Sequence, residues 1–131
     1  MLRVDIVSPD GSVFRGLASS VTVPGQHGSF QILSNHAPLI ATLDVGKIVL
    51  RDESGEQHTF AISGGVVEVL KNTVIILAET AESAGAIDVS RAQNAVSKAS
   101  EALSAVSGEE RDIVQQRLSR ARNRLRVAMA R

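Results

Sequence analysis

The sequence predicts an all-β sandwich of about ten strands, followed by an antiparallel hairpin of two α-helices. Two changes along the chain predict this division. Up to position 86, short β-branched runs alternate with glycine and proline, whereas the remainder contains no proline and has apolar residues at helical spacing. The formal charge changes at the same place, from −4 over residues 1–86 to +4 over residues 87–131. We therefore predict two domains, 1–86 and 87–131.

The first strand is predicted over residues 2–8, LRVDIVS. Leu2, Val4 and Ile6 alternate with charged residues, which is the two-residue period of a strand with one buried face. The SPDGS that follows is typical of a turn, because proline presets φ and glycine tolerates positive φ.

Six further runs have the composition of strands, and turn residues separate them. The candidate turns are Pro24-Gly25, Glu53-Ser54-Gly55, Gly64-Gly65 and Lys71-Asn72. No connection is long and helical enough for a parallel crossover, so we expect an antiparallel arrangement. The six runs are SSVTV, GSFQIL, GKIVLRD, HTFAIS, VVEVL and TVIILAE.

Two helices are predicted after Asp88, which is placed to cap the first of them. Ser107 and Glu110 have the spacing of a capping box, so the second helix is expected to begin there. The apolar stripes of both helices consist mostly of alanine and valine, which bury little area per residue. We therefore expect a marginally stable hairpin that docks and undocks. The stripes are Val89, Ala92, Val96, Ala99, Leu103 and Val106 in the first helix, and Val114, Leu118, Ala121, Leu125 and Ala128 in the second.

The composition excludes several classes of function. The chain has no cysteine, and His27, His36 and His58 lack the close spacing of zinc ligands, so we expect no metal site. Nucleophile-elbow, zinc-protease and phosphate-loop motifs are missing, so we predict a protein that is not an enzyme. The apolar runs are shorter than the roughly 20 residues that span a membrane. With three phenylalanines as the only aromatic residues, base stacking and nucleic-acid binding are not expected.

Arginine is concentrated in the predicted second helix, where it has three interpretations. The plainest is a solvated helix face, with cations favoured near the C-terminal end of the helix dipole. An acidic protein surface or a nucleotide phosphate fits equally well, because arginine pairs with both in a bidentate way. Binding to nucleic-acid phosphates is the weakest, since the net charge of the chain is zero. The residues are Arg117, Arg120, Arg122, Arg124, Arg126 and Arg131.

The stretch IDVSRA, at the start of the first helix, also has two interpretations. Asp88 can be a structural N-cap, with Arg91 three residues on and able to reach back to it. Alternatively, Asp88 and Arg91 together hold a small polar ligand. From these residues alone, the cap is the favoured interpretation.

Four segments of the chain match one family in order and over nearly the whole length. They are VDIVSPDGSVFRG, GSFQILSNHAPLIATLDVGKI, ISGGVVEVLKNTVIILAETAE and IDVSRA. In this combination they resemble the epsilon subunit of the F-type rotary ATP synthase. The resemblance implies a ten-stranded sandwich followed by a two-helix hairpin, in agreement with the fold class inferred from the residues.

The resemblance implies a non-catalytic subunit of the central stalk that requires no cofactor. Its sandwich would attach to the gamma subunit and to the ring of c subunits, and so couple proton-driven rotation to ATP synthesis. Its hairpin would be regulatory, extending beside gamma among the alpha and beta catalytic subunits to inhibit ATP hydrolysis. The protein would lie at the cytoplasmic face of the bacterial membrane, or at a thylakoid or other energy-transducing membrane in a photosynthetic host, without inserting into it.

The resemblance further implies contact and ligand residues. Ser29 and His36 would contact gamma or the c ring, although Ser29 and Gln31 stand where the family often has Glu and Gly. The folded hairpin would bind ATP as a regulatory ligand. Lys98 stands where ATP-binding members usually have arginine, which keeps the charge but loses bidentate geometry. The implied ATP ligands are Glu82, Ile87, Asp88, Arg91, Ala92, Lys98, Arg120 and Arg124.

The alternative function is a stand-alone ATP-sensing regulatory protein. Such a protein would use the same cluster around Asp88 and Arg91 to bind the nucleotide. It would differ from a stalk subunit in having no attachment to a rotor.

Overall fold

A computed structural model describes residues 1–130 of the chain, which form two compact units. Residues 1–83 form the first, and the second begins at Ala84. The first contains the strands β1 Leu2–Ser8, β2 Gly11–Gly25, β3 Gly28–Leu33, β4 Leu39–Asp52, β5 Gln57–Leu70, β6 Thr73–Ala78 and β7 Ala81–Ser83. The second contains a 3-10 turn, Ala84–Ala86, and the helices α1 Val89–Ser104 and α2 Glu109–Ala130. None of the helices described here is both long and apolar enough to cross a membrane.

Five of the strands close on themselves, which gives the sandwich a barrel-like form. Their order is β1–β6–β5–β4–β2, and β2 returns to pair with β1. The β1–β6 pair is parallel, so the expectation of a wholly antiparallel sheet is wrong at this pair. A parallel pair needs a long connection between its two strands. Here strands β2 to β5 form that connection, so no crossover helix is required.

The predicted fold class is confirmed, with seven continuous strands among the described residues in place of about ten. Long strands account for the difference. The first part of β2 pairs with β1 and its second part with β3. In the same way, the first part of β5 pairs with β7 and its second part with β6. The predicted turn at Gly64-Gly65 is wrong, since both glycines lie inside β5, where positive φ values of 125° and 155° bend the strand without ending it.

The core of the first unit is made by alternate residues of these strands. Leu2, Val4 and Ile6 are fully buried, as the period of β1 predicts. They pack with inward residues of every strand from β2 to β6, and the whole cluster lies within residues 2–78. The first unit therefore has a hydrophobic core of its own.

The two helices pack against each other along the predicted stripes. Ala92 and Ala99 of α1 and Leu118 and Ala121 of α2 are buried, and the remaining stripe residues are at least half-buried. The connection of residues 105–108 is short, which makes the pair antiparallel. The predicted capping box does not form: α2 begins at Glu109, because Gly108 adopts a left-handed φ of 67° and leaves Ser107 outside the helix.

Candidate functional site

The outward face of strands β4, β5 and β6 carries five exposed apolar side chains around a central, exposed glutamate. In the sheet register, Ile40 and Ile75 flank Glu68 from the two neighbouring strands, and Leu77 lies opposite Val66. We call the five apolar residues the outer apolar face. They are Ile40, Val66, Leu70, Ile75 and Leu77, with exposed fractions of 74, 41, 47, 37 and 56%.

This face was missed by the sequence reasoning, although the sequence contains a signal for it. A strand with one buried face alternates, whereas β6 has an unbroken apolar run from Val74 to Ala78. Such a run is typical of a strand that is covered on both faces. Since a folded protein rarely exposes a large contiguous apolar surface without a use for it, the face indicates a partner.

The two predicted contact residues of the sandwich lie near opposite ends of β3. Ser29 is exposed at its start and lines an open cleft of about 540 Å³ together with His27, Phe30 and Ile40. Ile40 thus belongs both to this cleft and to the outer apolar face. His36 is half-buried in the loop that follows the strand, where its N–H donates to the carbonyl of Leu33 at 3.1 Å.

In the second unit, Asp88 is the N-cap of α1. Its Oδ1 accepts a hydrogen bond from the backbone N–H of Arg91 at 3.0 Å. The structural interpretation of this stretch is therefore confirmed. Because the backbone and not the guanidinium makes this bond, the cap leaves the exposed side chain of Arg91 available for a ligand.

The predicted cations of the hairpin share one side of it. Each directly precedes a residue of the apolar stripe, and in an antiparallel helix pair such positions project to the same side of the pair. Arg117, which the sequence analysis listed among the arginines of the second helix but not among the ATP ligands, precedes Leu118 in the same way. The predicted pairs are Arg91 before Ala92, Lys98 before Ala99, Arg120 before Ala121 and Arg124 before Leu125.

Three of the implied ATP ligands are placed differently from these cations. Ile87 and Ala92 are 2 and 0% exposed, so their side chains are closed to a ligand and only their backbone atoms are suitable. Glu82 lies in β7 of the first unit, opposite Ala61 of β5. Its role in ATP binding stays a prediction.

A separate group of polar residues, outside the surfaces described above, lies in the turn between β4 and β5. Asp52, Glu56 and His58 have potential metal-ligating atoms within 4.8 Å of one another. The Asp52 carboxylate is already occupied: Oδ1 accepts from Ser54 N, Ser54 Oγ and Glu56 N, and Oδ2 lies 2.8 Å from His58 Nε2. A metal ion would have to displace these bonds, which identifies the group as a hydrogen-bonded turn.

Two family descriptions match the chain, one for each unit. The first, "ATP synthase, Delta/Epsilon chain, beta-sandwich domain", matches residues 1–84. The second, "ATP synthase, Delta/Epsilon chain, long alpha-helix domain", matches residues 86–129. Together they cover nearly the whole chain.

Curated relatives and solved structures agree with these matches. The ATP synthase epsilon chain of Bacillus pumilus is 39% identical over 127 residues, which cover 97% of this chain and 96% of the relative. That of Alkalilimnicola ehrlichii is 38% identical, with 96 and 91% covered.

Among solved structures, a chain of the Euglena gracilis mitochondrial ATP synthase (OSCP/F1/c-ring) shares the fold with a TM-score of 0.84 at 19% identity, with 98% of this chain and 81% of that one covered. A chain of the Tetrahymena thermophila mitochondrial ATP synthase (central stalk/c-ring) has a TM-score of 0.62 at 18% identity, with 97 and 96% covered. From its sequence, its fold and the family matches, the chain belongs to the epsilon-chain family of the ATP synthase, a non-catalytic subunit of that complex.

Proposed function

We propose that the sandwich attaches to the gamma subunit through the outer apolar face and meets the c ring through Ser29 and His36. The observation that carries this proposal is the exposure of five large apolar side chains on one face of three paired strands. Water is unfavourable around such a surface, and an apolar partner surface removes it from water. Attachment at both places would transmit the rotation of the ring to gamma.

Attachment to gamma is tested by introducing a charge into the outer apolar face. Leu77→Asp would bury a carboxylate in the interface, so binding to purified gamma is expected to weaken by about 30-fold or more. Gln57→Asp makes the same charge change at an exposed position at the start of β5, outside the outer apolar face, and is the matched control. Calorimetry gives both affinities. Equal binding by both variants, with circular dichroism showing both folded, would refute attachment through this face.

Contact with the c ring is tested separately, at His36. His36→Ala is expected to weaken binding to an epsilon-depleted enzyme that carries its c ring, while binding to isolated gamma stays unchanged. Gln57→Ala is a suitable control, because Gln57 is exposed at the start of β5 and lines neither the cleft of Ser29 nor the His36 loop. Equal affinity of the His36→Ala and wild-type chains for the ring-bearing enzyme would argue against the contact.

We further propose that the hairpin inhibits ATP hydrolysis by extending beside gamma, among the alpha and beta subunits. Two features support this role. The seam between the helices is built mostly of small residues, so the pair can separate at modest cost, and the exposed Arg122 and Arg126 suit acidic surfaces.

The test of inhibition compares the full chain with one that ends at residue 87. The shorter chain keeps the core of the first unit, which lies within residues 2–78. It is expected to bind the epsilon-depleted enzyme as the full chain does, but to leave ATP hydrolysis higher. The same hydrolysis rate with both chains would contradict the inhibitory role and leave the attachment role standing.

ATP is the regulatory ligand that we propose for the folded hairpin. Support comes from the cations that share one side of it, since a triphosphate needs several positive charges close together. Arg91→Ala is expected to weaken ATP binding in calorimetry. Arg122 follows a stripe residue and therefore lies on the other side of the hairpin, which makes Arg122→Ala the matched control. No heat of binding to the wild type at millimolar ATP would rule out this ligand.

The alternative, a stand-alone ATP sensor, shares this ATP site but not the attachment. A chain that binds ATP but binds neither gamma nor the ring-bearing enzyme would favour that alternative.

For the stalk subunit we propose a peripheral location at the cytoplasmic face of the bacterial membrane. Membrane fractions are expected to retain the wild-type chain and to lose the Leu77→Asp variant.

A further inference from the structure

Asn35 and Asn72 exchange two hydrogen bonds between two turns of the sandwich. The backbone N–H of Asn35 donates to Oδ1 of Asn72 at 2.6 Å, and Nδ2 of Asn72 donates to Oδ1 of Asn35 at 3.3 Å. The carbonyl oxygen of Asn72 also accepts from the N–H of Arg3 at 2.8 Å. Three segments that are far apart in sequence therefore meet at Asn72.

Both asparagines hold the left-handed backbone conformation, with φ values of 66° and 62°. Asn35 is the third residue of the turn that His36 closes, and Asn72 is the second residue of the two-residue turn between β5 and β6. Asparagine tolerates this region better than other residues with a side chain. Each turn thus accepts an asparagine for local reasons, and the two side chains then reach each other.

The bonds connect the two surfaces to which the proposed function assigns partners. Asn35 directly precedes His36, in the loop of residues 34–38. Asn72 lies between Leu70 and Ile75, at the end of the outer apolar face. Within the described chain, the hydrogen bonds that tie residues 34–38 to a distant segment are the two between these asparagines.

We infer that Asn72 is a positioning residue, which holds the His36 loop in a defined orientation relative to the outer apolar face. The inference rests on the proposed function, since it assumes that the loop and the face meet different partners. With the loop tethered, a chain seated on gamma presents His36 to the ring in one orientation. Without the tether, the loop has to be ordered when the ring binds, and that cost weakens binding.

Glycine substitutions separate the side-chain bonds from the backbone conformation. Asn72→Gly and Asn35→Gly each keep a residue that adopts positive φ easily. Asn72→Gly removes both bonds, whereas Asn35→Gly removes only the 3.3 Å bond, because the backbone N–H of residue 35 still donates to Asn72. Lys71 has a φ of 49° in the same turn, and its side chain makes no hydrogen bond in the described structure, so Lys71→Gly is the matched control. Asn72→Ala would add backbone strain and is not suitable.

The experiment measures affinity for isolated gamma and for the epsilon-depleted enzyme with its c ring, using full-length variants. Asn72→Gly is expected to weaken binding to the ring-bearing enzyme on the order of fivefold, Asn35→Gly by less, and the double variant by no more than Asn72→Gly alone. Affinity of the asparagine variants for isolated gamma should stay unchanged, and Lys71→Gly should show the same ratio of ring-bearing-enzyme affinity to gamma affinity as the wild type. Amide hydrogen exchange of residues 34–38 in the free chain should rise in Asn72→Gly, which frees the N–H of Asn35, and rise less in Asn35→Gly.

The outcomes distinguish failure of this inference from failure of the proposed function. If His36→Ala weakens ring binding and Asn72→Gly does not, the positioning role is overturned while the contact stands. If the two asparagine substitutions add fully, the residues act independently and the inference is likewise overturned. If His36→Ala has no effect on ring binding, the proposed contact is wrong and the inference falls with it.

Discussion

The carboxylate of Asp52 and the imidazole of His58 lie 2.8 Å apart across the turn between β4 and β5. The same carboxylate accepts bonds from the backbone N–H groups of Ser54 and Glu56 and from the Ser54 hydroxyl. These bonds stabilise the ionised form and lower the pKa of Asp52 well below its ordinary value of 3.8, the bond with His58 being the largest cause and that with the Ser54 side chain the next. The turn is therefore organised around a negative charge.

This arrangement predicts an acid-sensitive contribution to folding stability. The pKa of Asp52 is lower in the folded chain than in the unfolded chain, so its contribution is complete above 3.8 and is lost as pH falls through the folded-state value. Urea unfolding at a series of pH values should show Asp52→Asn to be less stable than the wild type at neutral pH, with the difference narrowing in acid. Asp10→Asn, at an exposed carboxylate in another turn, is the control. A constant difference between Asp52→Asn and the wild type from neutral to strongly acid pH would show that the charge of Asp52 contributes nothing.

The two glycines inside β5 are expected to differ in their tolerance of alanine. At Gly65 an added Cβ would overlap the carbonyl oxygen of Leu77 and lie 2.9 Å from Cα of Ala78, which is backbone that cannot yield. At Gly64 the nearest atoms are 3.6 and 3.7 Å away, so alanine there adds only the strain of positive φ. Gly65→Ala should therefore cost about 1–3 kcal/mol more than Gly64→Ala in free energy of unfolding. Equal losses of unfolding free energy in the two variants would contradict this prediction, because they would mean that β6 moves away from β5 at no energetic cost.

Asp88 is expected to cap the helix with Oδ1 and to accept a hydrogen bond from the adenine or ribose of ATP with its other carboxylate oxygen, and the two roles are separable. Asp88→Ala removes the acceptor for the N–H of Arg91 and should destabilise the start of α1 by about 1 kcal/mol. Asp88→Ser keeps a capping oxygen and removes the charge. Amide exchange at Arg91 should rise in the alanine variant and remain slow in the serine variant, and ATP affinity should fall in both. Wild-type ATP affinity in Asp88→Ser would show that the second carboxylate oxygen of Asp88 does not contact the nucleotide.

Arg111 is expected to stabilise the end of α1 from the other helix. Its Nη1 donates to the carbonyl oxygen of Leu103 at 3.0 Å, and that carbonyl belongs to the last turn of α1, where no intrahelical donor is available. Arg111→Ala should fray this turn by about 0.5–1.5 kcal/mol, seen as faster amide exchange near residue 104. Arg126→Ala, far from the turn between the helices, should leave exchange there unchanged. If the two variants behave alike, the bond does not stabilise the turn.

Much of the fold was predictable because it depends on the local periodicity of apolar residues. The alternation of Leu2, Val4 and Ile6 predicts which face of β1 is buried, and the structure buries all three completely. The stripes of α1 and α2 were predictable for the same reason, since helical spacing brings residues three and four apart onto one face. Asp88 was predictable as a cap because the bond it accepts comes from a residue only three positions away.

The candidate sites were predictable only in part. Residue order places Arg91 and Lys98 on one helix and Arg120 and Arg124 on another, but their common side depends on how the helices pair. The outer apolar face was missed, because a run such as that from Val74 to Ala78 shows that both faces of a strand are apolar without showing that one face lacks a cover within its own chain.

By itself, then, the sequence determined the class of each segment, the change from strands to helices, the helix cap and the family. Tertiary structure decided that β5 runs through Gly64-Gly65, that β1 lies parallel to β6, and that Asn35 reaches Asn72 across 37 positions of sequence. The physical reason is the range of the interactions. Periodicity, caps and turns depend on neighbours within a few residues, whereas strand register, ring closure and contacts between turns depend on which distant segments pack together.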